Sequence, residues 1–137
     1  MLEDLQARNR QTVLALYKAT GRGDWVKAAS LMTPDILIKE APSVPFAGVY
    51  RGVEAMRELF AEVVRSLGVT GIEIREVTAG GEWVVVLLDL LLPGDPPVRA
   101  PLAESFRLTD GKVCEIVPYY FDTDLLAQAA ARQSPRR

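Results

Sequence analysis

Two glutamates and a tyrosine hold the acid–base chemistry open to this chain. Glu40 closes the run Ile36-Leu-Ile-Lys-Glu40, in phase with Ile36 and Ile38, and Glu104 is in phase with Leu102, Phe106 and Leu108. Alternate residues of a strand share a face. Both carboxyls therefore fall on apolar faces, while Lys39, Ser105 and Arg107 take the opposite ones. An unpartnered carboxylate in such a setting is costly unless it is neutral or paired. The same setting raises its pKa toward the range that suits general acid–base work. Tyr17, beside Val13 and Leu16, can offer its hydroxyl to the same pocket. Each residue also has a plainer role open to it. Glu40 ends its strand and can turn to solvent, Glu104 can pair with an arginine, and Tyr17 can be core.

Composition narrows the chemistry further. None of the 137 residues is histidine, which removes Ser-His-Asp and Cys-His catalysis and His-ligated metals. Proton transfer then falls to Asp, Glu, Tyr, Lys or Cys. Cys114 is the one cysteine, so no intrachain disulfide can form and a thiolate zinc site lacks ligands. It reads as a small packing residue. A net charge of −2 gives no basic field for nucleic acid. The N-terminus MLEDLQARNR does not read as a secretory leader, and the apolar runs Trp83–Leu88 and Leu90–Leu92 are broken by Asp89. A cytoplasmic location without membrane insertion is the expectation. The tail Gln133–Arg137 reads as a frayed end rather than a nucleic-acid arm.

The elements that must position these residues follow from periodicity. A helix is expected over Leu2–Thr20, with Leu2, Leu5, Val13, Leu16 and Tyr17 on one side. Asp24 caps a short second helix over Trp25–Met32. A short strand Ile36–Glu40 and a loop with Pro42, Pro45 and Gly48 come next. The third helix, Val53–Leu67, carries the stripe Val53, Met56, Leu59, Phe60, Val63, Val64 and Leu67, and Gly68 stops it. The second half reads as four strands: Gly71–Thr78, Glu82–Leu92, Val98–Leu108 and Lys112–Phe121. A helical end over Thr123–Arg132 is possible. The length suits one domain over residues 1–137, with a core of about residues 5–122 and a C-terminal tail from residue 123. Helices followed by strands indicate α+β, with helices on one face of an antiparallel sheet.

The strand expected over Glu82–Leu92 predicts a partner. Val84, Val86, Leu88 and Leu90 form one apolar face, while Trp83, Val85, Leu87, Asp89 and Leu91 form a second, nearly as apolar. One layer of helices covers only one face, so the other is expected to meet a second subunit, with a tightly curled sheet as the alternative. Asp89 is expected at that interface or at the surface.

The order of elements and three stretches of sequence resemble a known superfamily. These are GRGDWVKAASLMTPDI, PFAGVYRGVEAMRELF and ESFRLTDGKVCEIVPYYFD. Together they resemble the nuclear transport factor 2-like superfamily, which includes ketosteroid isomerases and SnoaL-like polyketide cyclases. The resemblance implies a cone-shaped, curved antiparallel sheet packed by three helices from the N-terminal half. It places Tyr17 at the oxyanion-hole tyrosine, Glu40 at the general base and Glu104 at the protonated acid of that hole. Tyr120 falls at an aromatic pocket position. Phe60, Val86, Leu88 and Phe106 are the remaining pocket candidates. Both acids are Glu where the ketosteroid isomerases have Asp, which moves each carboxyl out by a methylene.

The expected function is then a cofactor-independent, metal-free isomerase or cyclase. Its substrate would be a small hydrophobic carbonyl or epoxide compound, of the polyketide type that the resemblance implies. The chemistry would be aldol cyclisation, epoxide opening, ether-ring formation or double-bond isomerisation. A hydrophobic-ligand binder of the same fold is the alternative, and a homodimer through the sheet is the expected assembly.

Overall fold

The computed structural model describes residues 2–134. Ten elements follow in chain order. They are α1 (Leu2–Gly21), α2 (Trp25–Ser30), β1 (Met32–Glu40), β2 (Gly48–Arg51), α3 (Val53–Leu67), β3 (Gly71–Gly80), β4 (Trp83–Leu92), β5 (Val98–Thr109), β6 (Lys112–Tyr120) and α4 (Thr123–Gln133). The strands make one curved, unclosed sheet in the order β2-β1-β6-β5-β4-β3. The fold is α+β, with the helices packed against one face of that sheet. Among the described residues, no helix is long and apolar enough to cross a membrane.

One expectation about the sheet is corrected. It is mixed rather than antiparallel, because β1 runs parallel to β6 while every other pairing is antiparallel. Period-2 patterning reports a residue's face but not the direction of its neighbouring strand. Two further differences share a cause. β1 begins at Met32, through Pro34 and Asp35, which read as punctuation in the sequence. β2 is a four-residue strand hidden in the Pro- and Gly-rich loop, paired so that Glu40 stands opposite Gly48. Pro is tolerated on such irregular or edge segments, where a missing N–H breaks no ladder bond.

The inner face holds the core. Val13, Leu16 and Ala19 of α1 are buried, as are Val84, Val86 and Leu88 of β4 and Phe106 and Leu108 of β5. Leu5 is exposed, since α1 meets the sheet mainly through its C-terminal half, and the Leu2 side chain lies outside the described residues. Asp24 caps α2 by accepting from the Lys27 N–H at 3.0 Å. Gly68 ends α3 in a left-handed conformation, φ 70°, and its N–H returns to the Val64 carbonyl. α4 packs on α3 and buries Leu126 and Ala129 in the common core. It takes in Gln133 and is capped by Ser134; the rest of the predicted frayed tail lies outside the described residues.

The outer face is apolar across its middle. Leu87, Ala103 and Tyr119 stand in one cross-strand row of β4, β5 and β6, and Val85, Ser105 and Val117 in the next. Leu87 is 43% exposed and Tyr119 62%. Asp89 is neither open surface nor bare: its side chain is wholly covered. Its Oδ2 accepts from Arg75 Nη2 at 2.5 Å and Arg99 Nη1 at 3.1 Å. Those hydrogen bonds, Arg75's first, hold its carboxyl below the usual range against the opposing effect of burial.

Candidate active site

Each candidate side chain is fixed by the element beneath it. Leu16 and Val13 anchor the C-terminal half of α1 in the core, which turns Tyr17 toward the inner face of β5. There its ring packs edge-on against Phe106, with centroids 5.5 Å apart at 73°. Its hydroxyl donates to Glu104 Oε1 at 2.5 Å. Glu104 sits mid-strand, opposite Val86 on β4 and Pro118 on β6. A second pair mirrors the first. The Tyr120 hydroxyl, at the end of β6, donates to Glu40 Oε1 at 3.1 Å, at the end of β1.

Both pairs face one cavity of about 400 Å³. Tyr17, Glu40, Glu104 and Tyr120 all line it, together with Phe60, Leu88 and Phe106. Gly21, Phe60, Thr70 and Ile72 are its exposed lining residues and mark the mouth between α1, α3 and β3. Val86 is corrected. It is wholly buried on the same face but lies outside the cavity lining, because strand phase does not say where along a strand a cavity stops. Cys114 is half-buried, and its thiol donates to the Arg107 carbonyl at 3.4 Å.

Polar capacity in the cavity is concentrated on the two acids. The Thr20 hydroxyl is committed to the Leu16 and Tyr17 carbonyls, and that of Thr70 to Leu91. Among the described residues the lining contains no Lys or Arg. Burial pushes Glu40 up to about 8; the charge of Glu104 adds to the rise, and the Tyr120 hydrogen bond opposes it. Burial also raises Glu104, against the hydrogen bond from Tyr17. Tyr17 and Tyr120 are raised by burial and by the acids beside them, so both keep their protons and act as donors. Each acid thus has one oxygen held by a phenol. Its second oxygen is free to give or take a proton. Among the described residues, no three His, Cys, Asp or Glu side chains gather to hold a metal.

The SnoaL-like domain model matches residues 13–116, three-quarters of the chain. The chain belongs to the SnoaL-like family. This SnoaL-like protein shares its fold with structures of the NTF2-like superfamily. An NTF2-like protein from Burkholderia xenovorans LB400 is 26% identical, over 91% of this chain and 97% of that one, with a TM-score of 0.73. Bal32a, from a soil-derived mobile gene cassette, is 17% identical over 90% and 96%, with a TM-score of 0.79. TerC, co-crystallised with polyporic acid, is 22% identical over 90% and 98%, with a TM-score of 0.75. No curated protein matches.

The sequence indicated which face each acid occupies, but not the hydroxyl that holds Glu40. The signal was present in β6, where Ile116, Pro118 and Tyr120 share the inner phase and Tyr119 points outward. The resemblance alone assigned Tyr120 to the pocket wall. Its bond to Glu40 joins residues 80 positions apart, which no local pattern encodes.

Proposed function

We propose that this SnoaL-like protein is a cofactor-independent acid–base isomerase or cyclase. Its substrate is a small hydrophobic carbonyl or epoxide compound, of the kind met among polyketide intermediates. The observation that carries this reading is the pair of Tyr–Glu hydrogen bonds facing a single, largely apolar cavity. Glu40, titrating near 8, is the base. Its carboxylate takes a proton from the carbon beside a carbonyl, and the electron pair moves to the carbonyl oxygen. Glu104, buried and raised, donates its O–H to that oxygen as charge develops there. Return of the proton from Glu40 to a different carbon shifts a double bond. Attack of the same carbanion on a second carbonyl closes a ring, and the proton then goes to the new alkoxide. With an epoxide, Glu104 protonates the oxygen as the C–O bond breaks, Glu40 deprotonates the attacking water or hydroxyl, and solvent exchange then takes the proton from Glu40 and returns one to Glu104. Protons balance in each case without an oxidant or reductant. Tyr17 acts through Glu104, because its own proton is directed there. The co-crystallisation of TerC with polyporic acid supports an organic ligand as the cavity's occupant.

The test uses a β,γ-unsaturated cyclohexenone and styrene oxide as probes, with Glu40→Gln and Glu104→Gln made separately. Turnover of at least one probe is expected, with a loss of about 10²-fold or more in each variant. For the wild type, kcat/KM should rise tenfold per pH unit up to about 8, as Glu40 ionises. Full turnover in both variants overturns the assignment. Binding of the probes without conversion indicates a hydrophobic-ligand-binding protein instead.

We also propose that the outer sheet face carries a second copy of the chain. The rows through Leu87 and Val85 form a band, apolar except for Ser105, that the helices packed on the inner face leave uncovered.

A further inference from the structure

We infer that Tyr120 is the positioning residue of Glu40, and that a clamp of Phe46 and Tyr50 holds Tyr120 in place. The inference rests on the reading of Glu40 as the proton-transfer group. A glutamate at the end of a strand has three free side-chain torsions and water within reach. Something must therefore hold it inward. The Tyr120 hydroxyl does so at 3.1 Å, on Oε1 alone. Among the described residues Glu40 takes no other side-chain hydrogen bond, so its second oxygen remains for the reaction.

Tyr120 is itself constrained from the opposite side. The loop of residues 41–47 leaves β1 directly after Glu40 and returns to β2 at Gly48, in register with Glu40. It folds back through turns that bond Val44 N–H to the Ala41 carbonyl and Ala47 N–H to the Val44 carbonyl. Pro42 and Pro45 fix φ at two of its positions. The turn sinks Phe46 to 4% exposure, edge-on against the Tyr120 ring at 6.2 Å and 71°. Tyr50, returning along β2, donates its hydroxyl to the Phe46 carbonyl at 2.6 Å, with that of Ala47 3.3 Å away. A hydroxyl on β2 thus fixes the backbone that fixes the ring that aims the phenol at Glu40. The other titratable groups lining the cavity with Glu40 are Glu104 on β5 and Tyr17 on α1. Lys39, its neighbour on β1, points away to Glu115 at 3.2 Å.

Carboxyl NMR of the glutamate-labelled full chain tests this without any substrate. Tyr120→Phe keeps the ring and removes only the donor. The Glu40 midpoint is expected to move up from about 8 by about one pH unit, the tenfold change in ionisation that one charge-assisted hydrogen bond supports. Turnover of the cyclohexenone probe at pH 7 should fall about tenfold and recover as pH passes the new midpoint, a rescue that a merely structural defect does not show. Tyr50→Phe should shift the midpoint the same way by less. An unshifted midpoint in folded Tyr120→Phe overturns the inference; if that variant does not fold, an unshifted midpoint in Tyr50→Phe does so. Absence of turnover in the wild type counts against the proposed reaction instead, because the titration is independent of it.

Discussion

Asp89 and Glu104 lie on neighbouring strands of one sheet, yet their surroundings drive their charges in opposite directions. Asp89 faces outward under two arginines and is held ionised, whereas Glu104 faces inward toward a phenol and apolar rings and is pushed toward its neutral form. The two classes act on stability in different pH windows. Glu40 titrates near 4.5 when unfolded and near 8 when folded, so the folded state binds the extra proton between those values. Its contribution is fully present below about pH 4.5 and is lost as pH rises to 8; Glu104 acts in the same direction. Urea unfolding at pH 5, 6 and 7 should show stability falling by about 1.4 kcal/mol per pH unit through Glu40, with Glu104 adding to the fall. The doubly substituted Glu40→Gln, Glu104→Gln chain should lack that slope. Asp89 and Glu115, both lowered, act only on the acid side, as pH falls below the ordinary carboxylate range. At this scale the sequence was informative about environment: strand phase placed both glutamates inward before any partner was known. The partners were not legible, because a phenol 87 or 80 positions away leaves no mark on the local pattern.

Among the elements, those with a repeating stripe and a chemical stop were legible. α3 has its predicted bounds because its apolar stripe is continuous and Gly68 can take the left-handed conformation that ends it. β2 was invisible because four residues, GVYR, give too short a run for alternation to register. The same reasoning separates two glycines. A Cβ at Gly68 would stand 2.9 Å from the Pro93 ring and 2.9 Å from the Gln133 side chain, at φ +70°. Gln133 can swing aside but the proline ring cannot. Gly68→Ala is therefore expected to cost more than about 1 kcal/mol, lowering Tm by at least roughly 3 °C. At Gly80 nothing lies within 4 Å, and Gly80→Ala should stay within about 0.5 kcal/mol of the parent. Thermal unfolding of the two variants side by side checks the contrast.

For the molecule as a whole, the sheet divides the work between its faces. The inner face holds the cavity, and the outer face presents the Leu87–Ala103–Tyr119 row. The proposed homodimer predicts that Leu87→Glu, which puts a charge in the middle of that row, converts a dimer to a monomer in sedimentation velocity. Leu87 does not line the cavity, so Glu40 should titrate unchanged. The second apolar face of β4 was readable in the sequence; the parallel β1–β6 pairing was not, because it joins segments some 80 residues apart. That pairing also sets an order of events in time. During synthesis α1, β1 and the loop behind Glu40 emerge long before β5 and β6, and both Tyr–Glu pairs must wait for those strands. Long-range pairings of this kind place folding toward the slower, millisecond-to-second regime. A nascent chain therefore carries half of each Tyr–Glu pair without the other, and the proposed chemistry can begin only once its last strand is in place.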